Sequence, residues 1–85
     1  MEKYNGWANY ETWNLKLWLD EQGDTTYYKE MFEENNMSPF ELSETILHDT
    51  WTRYEQMNMS GFFSDMVSSS IRQVDFYEIA ESIIG

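Results

Sequence analysis

Two short stretches of the chain mark helix starts specifically enough to constrain most of the fold. Ser38-Pro39-Phe40-Glu41 places a hydroxyl at the N-cap, Pro at the first helical position and an acid at N3, the pattern of a capping box. Asp75-Phe76-Tyr77-Glu78 has the same acid spacing near the other end. Asn9 and Asp24 offer two more N-caps, and Gly23 follows an apolar run as a C-cap. No segment holds a period-2 alternation for long. The expected fold is all-α, a compact bundle of about five short helices around an aromatic-rich first helix, in a single domain over residues 1–85.

The first helix is expected from about Tyr10 to Gln22. At about 100° per residue, Tyr10, Trp13 and Leu17 share a face, Leu15 and Leu19 lie nearly opposite, and Trp18 sits between. That leaves Lys16, Asp20 and a few neighbours for water, the profile of a helix around which others pack. The second, capped by Asp24 and running from about Thr25 to Asn35, sets Tyr27, Tyr28, Met31 and Phe32 against a charged face. The third, to about Met57, turns Phe40, Ile46, Leu47, Thr50, Trp51, Tyr54 and Met57 inward. A fourth, from about Phe62 to Val74, has Phe63, Met66, Val67, Ser70, Ile71 and Val74 as its inner face, with Asp65 and Arg72 outside. Three serines in a row, Ser68 to Ser70, leave a strand from Ile71 to Phe76 as the alternative. A short last helix buries Phe76, Ile79, Ala80 and Ile83. Trp13, Trp18 and Trp51 are the expected core anchors.

Composition limits the classes open to such a bundle. The chain has 85 residues and 18% aromatic content, so folding can bury about 65% of its surface, enough for one core. It has no Cys, which excludes a disulfide framework and Cys-ligated zinc and leaves packing as the source of stability. The first ten residues contain no apolar leader segment and no run approaches the ~18 residues of a membrane span, so a cytoplasmic location is expected. The formal charge of −11 opposes direct contact with nucleic acid or an anionic membrane.

Catalytic constellations are weak. His48 is the only histidine, and Glu44 one turn before it reads as an ordinary surface neighbour rather than half of a metal site. No Gly-x-Ser-x-Gly turn occurs, and Gly6, Gly23, Gly61 and Gly85 are too far apart for a phosphate-cradling loop. The expectation is no enzyme activity, no cofactor and no metal. Trp7, Tyr10, Trp13 and Trp18 could stack bases, but only Lys3 and Lys16 lie nearby to hold phosphates, which favours core packing for them.

The acids are concentrated. From Asp20 to Glu55 ten carboxylates face two bases, so this stretch carries −8 of the −11. Acids projecting from one side of the second and third helices would reach a linear charge density roughly half that of duplex DNA. Glu30, Glu33, Glu34, Glu41, Glu44 and Glu55 are the expected partner-binding residues, and the expected partner is a basic, nucleic-acid-binding protein. The competing reading is a structural or assembly module that dimerises or docks through aromatic surface, its acids serving solubility.

The opening Gly6-Trp7-Ala8-Asn9-Tyr10-Glu11-Thr12-Trp13, followed by Leu17-Trp18, resembles the start of a group of small phage, plasmid and bacterial proteins with a G-W-x-N-Y-E-T-W-x-x-x-L-W signature. Val74-Asp75-Phe76-Tyr77-Glu78-Ile79-Ala80-Glu81 is similar to that group's closing V-x-W-x-E-I-A-E, with Phe76 in place of Trp. The resemblance brings no catalytic residue with it. It implies a mobile-element origin, and with it an inhibitor that occupies the DNA-binding surface of a restriction, CRISPR or other nucleic-acid enzyme of the host.

Overall fold

The structure, a computed structural model, describes residues 3–85. Met1 and Glu2, part of the stretch read for a leader, lie outside the described residues. Five helices follow in order: α1 Tyr10–Gln22, α2 Asp24–Glu34, α3 Pro39–Gln56, α4 Gly61–Gln73 and α5 Phe76–Ile84. The bundle measures 40 × 32 × 22 Å.

The helix ends follow the local chemistry. Ser38 and Glu41 form the full reciprocal box: the Ser38 side chain accepts from the Glu41 N–H at 3.1 Å, and Glu41 accepts from the Ser38 N–H at 2.8 Å. Asn9 caps α1. Gly23, at φ 83°, closes α1 and opens α2 at once, so Asp24 enters the first turn of α2 instead of capping it. The serine-rich stretch is helical: Ser68 is buried and turns its hydroxyl back onto the Asp65 carbonyl at 3.2 Å. Ahead of α1, Asn5-Gly6 makes a two-residue turn with both central φ angles positive, 47° and 86°. It pairs Tyr4 with Trp7 through two backbone hydrogen bonds of 2.8 Å.

The centre of the bundle is α5, not α1. Its Phe76, Ile79, Ala80 and Ile83 are all buried, and it packs on α1, α2 and α3, with α3 its main partner. From α3 come Leu42, Ser43 and Ile46, a face turned toward Leu42 from the expected one, leaving Phe40 and Met57 exposed. Helix α2 contributes Tyr28 while Tyr27 stays outside. Helix α1 contributes only Thr12 and Leu19 as buried residues.

The aromatic anchors expected from the sequence are displaced outward. Trp18 is 52% exposed, Trp51 half-buried, and Trp13 packs with Tyr4 and Tyr10 at ring separations of 5.1 and 5.7 Å instead of entering the core. Conversely, Lys16, expected in water, has a side chain only 14% exposed, its amine reaching Asp20 at 2.7 Å. Its aliphatic stem covers the interior while the charge escapes to the edge. In α4 the inward side is Val67, Ser68 and Ile71, and Phe63 and Met66 are 67% and 53% exposed. The accessible surface, 5891 Å², exceeds the roughly 5,400 Å² usual for this mass, as these outward-facing side chains require.

Candidate functional site

The two segments that carry the sequence motifs meet in space. Thr12, fully buried, donates its hydroxyl proton to Asn9 Oδ1 at 2.6 Å and accepts from the Asp75 N–H at 2.8 Å. Asn9 Oδ1 also accepts from the Thr12 N–H at 2.9 Å, while its amide nitrogen donates to the Gln73 carbonyl at 2.7 Å. Glu78, expected to return to the Asp75 N–H, instead accepts from the Ala8 N–H at 2.9 Å. Asp75 still accepts from the Glu78 N–H, so half of that box survives. The motif residues thus join the start of α1 to the α4–α5 junction. Their role here is structural.

All six acids expected to bind a partner are exposed. At about 100° per residue, Glu30, Glu33 and Glu34 span about 100° of α2, and Glu41, Glu44 and Glu55 about 60° of α3, in both cases opposite the buried residues. The two helices are neighbours, linked by the Tyr28 hydroxyl donating to Asp49 at 2.8 Å. The six do not form one cluster. Glu30 and Glu34 open onto a cleft with Met31, whereas Glu44 lies in another between Phe40, Leu47 and Tyr77. Glu41 is also engaged by the Ser38 cap. Among the described residues the ion pairs are Lys16 with Asp20 at 2.7 Å and Arg53 with Asp24 at 3.9 Å, and none of the six takes part.

One carboxyl, Asp20, and one phenol, Tyr28, have shifted ionisation. Burial works against the charge of Asp20, but hydrogen bonds from Lys16 and Thr25, with the Lys16 charge, hold it below the usual carboxylate value. Burial, then the hydrogen bond to Asp49 and the charges of Asp49 and Asp24, push the Tyr28 hydroxyl far above the ordinary phenol value of 10.0, against a smaller opposing effect of Arg53. A phenol so placed keeps its proton at neutral pH and ties α2 to α3. Because its folded value is raised, its stabilising contribution is complete below pH 10 and is lost as pH climbs toward the folded value. A 295 nm difference titration of wild type against Tyr28→Phe should show no Tyr28 ionisation at pH 10. A difference step centred at pH 10 would mean that the buried phenol–carboxylate pair does not form.

Among the described residues no group of three or more His, Cys, Asp and Glu side chains could hold a metal, and no helix is long and apolar enough to cross a membrane. His48 is exposed on the outer stripe of α3.

The feature that sequence reasoning missed is a groove between α1 and α4. It holds about 520 Å³ and is lined on one side by Tyr10, Leu15 and Trp18, and on the other by Met66, Val67 and Val74. That volume lies within the range of binding clefts. Its one charged lining residue is Glu11. A sequence signal was available: both helices carry more large apolar residues than one inward face can hold.

No curated protein and no solved structure matches the chain. Its sequence matches the model of a family of unknown function over residues 1–84, and the chain belongs to that family, DUF7249.

Proposed function

We propose that this domain is a non-enzymatic binding protein that covers the nucleic-acid-contacting surface of a basic partner. One observation supports this best: six glutamates on the outer arcs of neighbouring helices that the fold leaves outside its ion pairs. Carboxylates used for folding would be paired or capped, and only Glu41 is. The other five remain free to meet Lys and Arg, in competition with phosphates for the same groove. The resemblance to phage and plasmid proteins makes a restriction, CRISPR or other nucleic-acid enzyme of the host the partner class.

The test is affinity chromatography from bacterial lysate with wild type and with the triple variant Glu30→Lys, Glu33→Lys, Glu34→Lys, followed by mass spectrometry. Wild type should retain a DNA-binding protein and displace DNA from it in a gel shift. The triple variant should bind it at least about tenfold more weakly, with a flatter salt dependence. Equal retention by both forms would sink the charge-competition reading.

A second reading is favoured by a separate observation, the exposure of Phe62, Phe63 and Met66 on α4 beside Trp18 on α1. On that reading the domain is a structural or assembly module that dimerises or docks through this surface, and its acids serve solubility.

A further inference from the structure

We propose that the α1–α4 groove docks a cationic amphipathic helix of the partner protein. This deepens the reading above and rests on it in one respect, that the partner is basic.

Helices α1 and α4 supply the two walls. Asn9 bonds to Gln73 and Thr12 to Asp75, so the start of α1 lies beside the end of α4, and Trp18 and Met66 both line the groove. Eight residues separate Tyr10 from Trp18 and Met66 from Val74, which makes each wall about 12 Å long at 1.5 Å per residue. A helix presenting apolar side chains at i, i+4 and i+7 spans about 10.5 Å and fits that length. The lining is mostly apolar, with Ile71 a further apolar member and Asn14, Thr50 and Ser70 as its neutral polar members, and Met66 supplies a side chain that can adapt to the incoming residue. Phe62 and Phe63, one turn before Met66, extend the apolar surface beyond the groove.

Charge selects the occupant. Glu11 lines the groove and Asp65 adjoins Met66 on α4, while the nearby bases are directed elsewhere. Lys16 is folded onto Asp20, and the Arg72 guanidinium lies over the Trp51 ring, 5.6 Å from its centre. A second copy of the chain, also carrying −11, would bring acids against acids. A helix with apolar residues on one stripe and Lys or Arg beside them satisfies both lining and rim.

The probe is a synthetic helical peptide of about 14 residues with Leu at i, i+4 and i+7 and Lys at flanking positions, with a control of the same composition whose Leu are scattered around the helix. Tryptophan fluorescence and calorimetry should show the ordered peptide binding at least about tenfold more tightly than the control. Met66→Glu should weaken binding by about tenfold or more, although the added charge would strengthen a purely electrostatic association. Trp18→Ala should also weaken it, with helix content by circular dichroism unchanged in both variants. Equal affinity of Met66→Glu and wild type, or of ordered and scattered peptides, overturns the proposal. So does a wild-type dimer in sedimentation that Met66→Glu dissolves, because the groove would then hold a second copy. The triple lysine variant on α2 leaves the groove lining untouched and should retain the Met66-sensitive, order-dependent binding of the peptide. A loss confined to Met66→Glu therefore supports the groove independently of the acidic arcs, and no loss refutes it independently of them.

Discussion

Ile79→Ala should destabilise the protein by about 2–5 kcal/mol, while Phe63→Ala, removing a larger side chain, should cost less than about 1 kcal/mol. Ile79 is wholly buried in the central helix, where its removal leaves a cavity among rigid neighbours. Phe63 is 67% exposed, so little of its surface returns to water that was not already there. The difference decides between two folds, because the helical pattern of α4 taken alone puts Phe63 in the core. Urea unfolding followed by circular dichroism reads it directly, and by heat Ile79→Ala should melt about 8–40 °C lower, at roughly 4–8 °C per kcal/mol for a domain of this size. Similar losses in the two variants would place α4 in the wrong rotation, and the α1–α4 groove would close with it.

The second large effect is at Thr12. Thr12→Val keeps the shape and removes the hydroxyl that accepts from the Asp75 N–H and donates to Asn9. The N–H at the entry to α5 is then left without its partner, and a group stranded in this way costs about 1–3 kcal/mol. Thr12→Ser retains both bonds and should cost less than half as much. Equal losses in the two variants would assign the effect to packing of the methyl group instead of the hydrogen bonds. The Thr12–Asp75 bond closes a contact between residues 63 apart in the chain, so hydrogen exchange at the Asp75 amide should rise in Thr12→Val more than at amides in the middle of α3.

How much of the fold is legible in the sequence depends on how sharply each helix is patterned. In α5 the apolar residues form one stripe, and Phe76, Ile79, Ala80 and Ile83 are buried as read. The Ser38 box and the Gly23 stop are local chemistry, needing no neighbours, and both occur where the sequence places them. The solvent position of the six glutamates was legible for a related reason: burying an unpaired carboxylate costs several kcal/mol, so it faces outward almost regardless of fold. The capping box also showed that Glu41 would be occupied, which sits badly with counting it among the free partner-binding acids.

Helix α1 was not legible in the same way. Its apolar residues surround the axis, so periodicity selects no direction, and the buried side proved to be the one with Thr12, Lys16 and Leu19. Helix α4 turns Ser68 inward and Phe63 outward because its helix neighbours are α1 and α3, and only Ile71 of its side chains is buried in the core around α5. No window of sequence contains that information. The Asn5-Gly6 turn, by contrast, is a local signal that could have been read.

By itself, then, the sequence determined the main helix starts and stops and that the six outer glutamates face water, since caps, turn residues and the hydration of charge act within a few residues. The tertiary structure alone decided which helix is central and which apolar residues are left over. Those choices depend on competition among helices for a core that 85 residues can build only once. The small, strongly apolar α5 takes that core together with α3, and the displaced aromatic and methionine side chains of α1 and α4 become the walls of an open groove.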